Sequence, residues 1–258
     1  MKIALVCTEK LPVPPVAGGA VQLYIDGILP YLSKHHEITV FSVEHPGLPQ
    51  DEIVDNVRYI RVPGSSAKTY IENIKAKINN DYELVHVFNR PLWIPALSSS
   101  FPGIKLSLSL HNEMFEQEKI SAAKGIECIN RVEFINTVSN FITDSIKKRF
   151  PSAEKKLRVV YSGADINLYK PGWTEEGLKN KNRLKEKFRI KGHKVVLYIG
   201  RLSIKKGAHV LLRSMSSVME KHGNVALVII GSKWYGKNEI DEYTRSLQLL
   251  SERLPGPV

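Results

Sequence analysis

Short, nearly unbroken apolar runs rich in Ile, Val, Leu and Phe recur at residues 3–7, 38–43, 57–62, 84–88, 105–110, 134–138 and 157–161. Between most of them lie segments whose apolar positions have helical spacing, such as 21–33, 70–78 and 141–150. Strands alternating with helices predict a parallel, doubly wound sheet. Near-continuous apolarity, rather than strict alternation, is what a strand covered on both faces requires. The α/β pattern therefore predicts a Rossmann-like first domain over residues 1–164.

Beyond Asp165 the texture turns polar and lysine-rich around Pro171, Gly172 and Gly177, with an exposed helix expected over 174–188. The rhythm then resumes with a strand at 194–199, a helix over about 208–222, a strand at 225–230 and a helix from about 239 to 250. A second domain, 165–258, thus holds a linker, two strands and their helices, and Pro255-Gly256-Pro257-Val258 reads as a loop leading toward a further strand. Two strands are only the beginning of a parallel sheet, whose faces and edges need cover. This domain is expected to be incomplete.

Composition narrows the classes. The 258 residues, 43% of them hydrophobic, can build one large domain or two modest ones. With 37 Lys and Arg against 26 Asp and Glu, the formal charge of +11 suits an anionic partner of any kind. Much of the excess falls in 147–158 and 179–194, where it reads as solvated faces, and no basic strand interleaved with aromatics occurs, so nucleic acid is not an expected partner. Two cysteines, Cys7 and Cys128, exclude a disulfide framework and fit a reducing compartment. The first apolar run is too short for a signal-peptide core and nowhere do 18 apolar residues run together, so a cytoplasmic protein without a transmembrane segment is expected.

The segment 195–207, VVLYIGRLSIKKG, reads as a buried strand entering a Gly-Arg turn and then a Lys-Gly helix start. A parallel strand ending in glycine, the unpaired N–H groups of the next helix and the cations Arg201 and Lys206 make a layout that grips a diphosphate. The local pattern fits a plain strand–helix junction with two solvated basic residues equally well. Gly18 and Gly19 follow the first strand and permit positive φ and close approach of backbone N–H groups to a ligand, or simply form a loop. The three-glycine dinucleotide fingerprint is absent.

His111 lies in the run LSLSLHNE, just past a strand end where doubly wound folds keep their ligands. It is the leading candidate for the active site, to hydrogen-bond a sugar hydroxyl or share a proton near neutral pH; the competing role is a helix cap. His86, inside a strand, reads as a hydrogen-bonded core residue. No Gly-x-Ser-x-Gly elbow, Walker loop, His-Glu-x-x-His helix, paired-cysteine zinc motif or Asp-x-Asp triplet is present, so hydrolase and ATPase chemistry lack support and no metal is expected.

Taken together, PPVAGGA, His111, TVSNF at 137–141, VYSGADINLYKP at 160–171, YIGRLSIKKG at 198–207 and LVIIGS at 227–232 resemble the retaining family 4 glycosyltransferases of the two-Rossmann GT-B fold. MKIALVCTEKLPVPPVAGGA, HNEMF and GSKWYG further resemble the bacterial spore coat protein SA subgroup, which adds the spore coat as a location and spore-coat proteins as partners. The resemblance implies transfer of a sugar from a nucleotide-diphospho-sugar to a glycan, lipid or small-molecule acceptor, with the donor between the domains and no cofactor required. Arg201 and Lys206 would meet its diphosphate, Gly18 and Gly19 would approach the same charge, His111 would lie beside the sugar, and Gly231 would let the nucleotide approach the backbone. Ser162 stands where the family usually has Asn, which puts that side chain's contact in doubt. The family's pair of glutamates separated by seven residues has no counterpart here, so the resemblance implies weak donor binding and impaired turnover. The alternative is a non-catalytic spore-coat or scaffold protein that kept the fold.

Overall fold

Strand β1 (Lys2–Val6) stands inside an eight-stranded sheet built by the first unit of the chain, Met1–Gly163. The computed structural model describes residues 1–234 and 240–258. In chain order the first unit continues with α1 (Ala20–Leu32), β2 (Glu37–Val43), β3 (Asp51–Val54), β4 (Val57–Val62), α2 (Ala67–Lys75), β5 (Leu84–Phe88), α3 (Trp93–Ser100), β6 (Lys105–Leu110), α4 (Ala122–Arg131), β7 (Ile135–Thr137), α5 (Asn140–Arg149) and β8 (Leu157–Val159). The sheet order is β3-β4-β2-β1-β5-β6-β7-β8. The chain moves outward from β1 first toward β2 and later toward β5, so the switch in winding direction falls between β1 and β5, where such sheets open a crevice at their carboxyl ends.

Both faces of β1 are buried, as its unbroken apolarity requires. Ala4 and Val6 join a cluster with Ile71, Ile94, Ile129 and Ile146 from α2 to α5, whereas Ile3, Leu5 and Cys7 join Val21, Ile25 and Leu29 of α1. Serine side chains set several helix starts: Ser66, Ser121 and Ser139 accept from the N–H groups of Thr69, Lys124 and Ile142.

One strand departs from the expected all-parallel sheet: β3 pairs antiparallel with β4 at the edge. Asp55 and Asn56, with φ of 50° and 63°, make the tight hairpin turn, and Arg58 pairs with Asp51 across it through two bonds of 3.0 and 2.7 Å. The four residues of β3 are too few to give a run, and Ile53 and Val54 are exposed, because an edge strand covers the sheet's rim rather than filling its core.

The second unit, Ala164–Val258, contains α6 (Glu175–Lys187), β9 (Lys194–Ile199), α7 (Ala208–Lys221), β10 (Val225–Ile230) and α8 (Glu242–Ser251). β9 and β10 pair in parallel, Lys194 opposite Val225 through Ile199 opposite Ile230. Ala208, Leu212, Met215 and Met219 recur on one face of α7 and pack with Leu202, Leu227 and Leu247. The strand expected to be buried is not: on β9, Val195, Leu197 and Ile199 are exposed, because among the described residues β9 pairs with β10 alone and one of its faces has no cover. The expected helix onset at Glu239, and Tyr235 and Gly236 of the GSKWYG segment, lie outside the described residues.

Candidate functional site

The loop leaving β1 is fixed from beneath before it reaches α1. Gly18 and Gly19 have φ of 78° and 106°, a region that favours glycine. A Cβ on Gly19 would also stand 2.2 Å from Gln22 Oε1. Buried Gln22 donates through Nε2 to the Leu11 carbonyl at 3.1 Å and to Thr8 Oγ1 at 3.2 Å. No side chain caps α1, so the first-turn N–H groups beside the two glycines are left to water or a ligand. Next to this loop, at the switch between β1 and β5, Glu9 accepts two bonds of 2.8 Å from Arg90. Burial pushes the Glu9 carboxyl up, but the hydrogen bonds and charge of Arg90 outweigh it and hold it below the ordinary glutamate range.

His111 is the first residue past β6. Its backbone N–H donates to Asn89 Oδ1 at 2.7 Å, its ring meets Tyr24 edge-on at 4.7 Å, and its Nε2 is buried without a hydrogen-bond partner. Burial pushes its pKa down to about 4, so the imidazole is neutral at pH 7 and offers hydrogen bonding rather than proton exchange near neutrality. It caps no helix: α4 begins after Ser121, whose own side chain supplies the cap. His111 instead lines a groove of about 610 Å³ with Glu113, Lys119, Ser139 and Phe141. His86 is a core residue, its Nδ1 bonded to Ser107 Oγ at 2.7 Å.

In the second unit β9 ends at Gly200 and Arg201, and a short 3-10 turn, Ile204–Lys206, leads through Gly207 (φ 74°) into α7. Tyr198 holds this turn, its hydroxyl lying 3.2 Å from the Arg201 carbonyl. Arg201 and Lys206 are exposed, and among the described residues neither forms an ion pair. At Gly231 a Cβ would stand 1.9 Å from the Gly200 carbonyl oxygen. The glycine there answers to close packing of the two strand ends, and the space above its Cα is taken by backbone.

Sequence reasoning passed over Gln22, Tyr24, Asn89 and the Glu9–Arg90 pair. Asn89-Arg90-Pro91 directly after an apolar strand was the available signal, since Asn tolerates the left-handed backbone that a turn at a strand end needs. Among the described residues no three His, Cys, Asp or Glu side chains gather as a metal site, and no described helix is long and apolar enough to cross a membrane.

The family model for Glycosyltransferase Family 4 matches residues 17–168, and that for Glycosyl transferases group 1 matches residues 180–254. The chain is 45% identical to Spore coat protein SA of Bacillus subtilis over 97% of its own length and 66% of that protein's. It is 42% identical to Putative glycosyltransferase YtcC of the same organism, over 97% of its own length and 61% of the relative's. The chain thus spans about two thirds or less of these relatives. Among solved structures, a glycosyltransferase from Rickettsia africae matches with a TM-score of 0.66 at 19% identity, covering 99% of this chain and 68% of that one. The catalytic domain of Starch Synthase IV from Arabidopsis thaliana matches with a TM-score of 0.66 at 11% identity, covering 98% of this chain and 72% of that one. These likenesses give the fold as GT-B. With its family model matched over more than half of the sequence and the glycine loop at 18–19 inside that match, the chain belongs to Glycosyltransferase Family 4.

Proposed function

We propose that the chain acts as a glycosyltransferase that moves a sugar from a nucleotide-diphospho-sugar to an acceptor hydroxyl with retention of configuration. The observation that carries this reading is the turn after β9, where Arg201 and Lys206 stand exposed beside the start of α7, whose N-cap Gly207 has no side chain to cap it and whose His209 N–H donates to the Tyr243 hydroxyl at 3.4 Å. Cations and the positive dipole end at a helix start attract a diphosphate. As the bond between the anomeric carbon and the phosphate oxygen breaks, charge grows on the departing nucleotide diphosphate, and these groups take up that charge without a metal. The acceptor oxygen bonds to the same carbon from the leaving-group face, and its proton passes to the departing phosphate oxygen. In the first unit, the N–H groups beside Gly18 and Gly19 attract an anion, and neutral His111 bonds a donor-sugar hydroxyl. The groove lined by Lys119, Ser139 and Phe141 receives the acceptor. Gly231 serves to bring the strand ends together beneath the turn.

Titration of the purified chain with UDP, ADP, GDP and their glucose conjugates tests this reading, with Arg201→Ala plus Lys206→Ala as the control. Saturable binding lost in the control is expected; absence of binding by the folded chain would overturn it. A second reading rests on the 45% identity to a protein named Spore coat protein SA: a non-catalytic coat component that keeps the fold and binds coat proteins. Concentration-dependent self-association or coat-protein binding, with no nucleotide-sugar binding, would favour it.

A further inference from the structure

The imidazole of His111 has no side-chain hydrogen bond to aim it, yet its main chain is fixed from a neighbouring strand. Asn89, directly after β5, is 3% exposed and has φ of 53°. Its N–H donates to the Ser109 carbonyl at 2.8 Å, its carbonyl accepts from Arg90 Nη1 at 2.9 Å, and its Oδ1 accepts from the His111 N–H at 2.7 Å. The same Arg90 holds Glu9 on the loop that carries Gly18 and Gly19. A continuous line of bonds therefore joins the loop after β1, the end of β5 and the end of β6. Left-handed backbone is uncommon for a residue other than glycine, and where it is buried the surroundings must hold it in place.

We propose that Asn89 is a positioning residue for His111: its side-chain oxygen, fixed by the left-handed turn and by Arg90, holds the main chain from which the imidazole faces the donor sugar. This rests on the glycosyltransferase reading, so the test measures ring and ligand separately. Asn89→Gly keeps the positive φ at no steric cost and removes the acceptor with the rest of the buried side chain; Asn89→Asp keeps the side chain's shape and an acceptor oxygen. The full chain, labelled at histidine, is titrated by NMR without nucleotide. The titratable groups around the ring are Tyr24 from α1, His86 from β5, and Glu113 and Lys119 along the groove; of these only His86 gives a histidine signal, and a His111→Ala protein tells the two histidine signals apart. Affinities for UDP-glucose and ADP-glucose are then compared with those for UDP and ADP.

In Asn89→Gly the His111 midpoint is expected to rise from about 4 toward the ordinary histidine value as water reaches the ring. The nucleotide-sugars should bind about tenfold more weakly, the loss of one hydrogen bond, with UDP and ADP unchanged. Asn89→Asp should restore the sugar-dependent part. An unchanged His111 midpoint in Asn89→Gly overturns the proposal, as does a shifted midpoint with unchanged sugar affinity. If wild-type protein binds none of the four ligands, the functional reading fails and takes the donor role with it, and the ring titration distinguishes that failure from the other two.

Discussion

Replacing Arg90 by methionine strands Glu9, and the structure sets how much that costs. Both carboxylate oxygens of Glu9 accept from the guanidinium at 2.8 Å, and the Glu9 side chain is only 5% exposed. Methionine keeps a stem to lie against Trp93, where the guanidinium carbon now stands 5.7 Å from the ring centre, but it brings no donor. The stranded carboxyl can stay charged, at several kcal/mol of desolvation, or take a proton. Protonation caps the cost at about 1.4 kcal/mol for each pH unit above an ordinary glutamate pKa, which is about 4 kcal/mol at pH 7.5 and about 1 kcal/mol at pH 5. Lys10 Nζ, 3.3 Å from Glu9 Oε1, remains and lowers the figure. The expected loss is therefore about 2–4 kcal/mol at pH 7.5 and about 1 kcal/mol or less at pH 5. Urea unfolding at both pH values reads it, in a background where Trp173 and Trp234 are Phe so that buried Trp93 reports on the first unit alone. Adding Glu9→Gln to Arg90→Met should return most of the stability lost at pH 7.5. A loss of equal size at both pH values, or a double variant no better than the single one, would refute the claim that a stranded charge is the cause.

Gly231→Ala should loosen the second unit by about 1–3 kcal/mol, because the new methyl meets the Gly200 carbonyl and nothing flexible can yield. Hydrogen exchange at the Gly200 and Leu202 amides, which bond to Ile230 and Ser232, reads the effect, while Gly200→Ala, whose Cβ would stand 3.3 Å from the Tyr198 hydroxyl and meet no backbone, should leave them protected. Equal exchange in the two variants would sink the packing account. Burial pushes His86 down to about 4, and the unfolded chain takes up its proton first on acidification. His86 therefore contributes stability that is complete above about pH 6.5 and lost as pH falls through about 4, on the order of 3 kcal/mol. His86→Gln should flatten the unfolding profile between pH 6.5 and 4.5, and an equally steep profile in that variant would show that another group is responsible. Gln22→Ala removes three polar contacts beneath the glycine loop, to Cys7 Sγ, Thr8 Oγ1 and the Leu11 carbonyl, and should cost about 1–2 kcal/mol, with weaker nucleotide binding, by urea unfolding and calorimetric titration; full nucleotide affinity in a destabilised variant would separate the loop's fixing from ligand capture.

The amino-acid sequence by itself placed most of the strands and helices of both units, because residue spacing carries the element type: an unbroken apolar run for β1, and a repeat of Ala208, Leu212, Met215 and Met219 for α7. It also displayed the turn carrying Arg201 and Lys206, whose glycines and cations sit within a few residues of one another. Edge strand β3 escaped because it fills no core and its two apolar residues, Ile53 and Val54, are too short a run to read as a strand. The site around His111 was legible only as one residue. Asn89 lies 22 positions before it, and Glu9 lies 81 before Arg90; nothing in local spacing couples such pairs until the sheet order places the ends of β1, β5 and β6 side by side. The charge state of His111 was likewise decided by tertiary structure, since the imidazole's proton affinity depends on how much water its neighbours exclude. Periodicity reports whether a residue is buried, but which groups it meets there depends on how distant strands are ordered in the sheet.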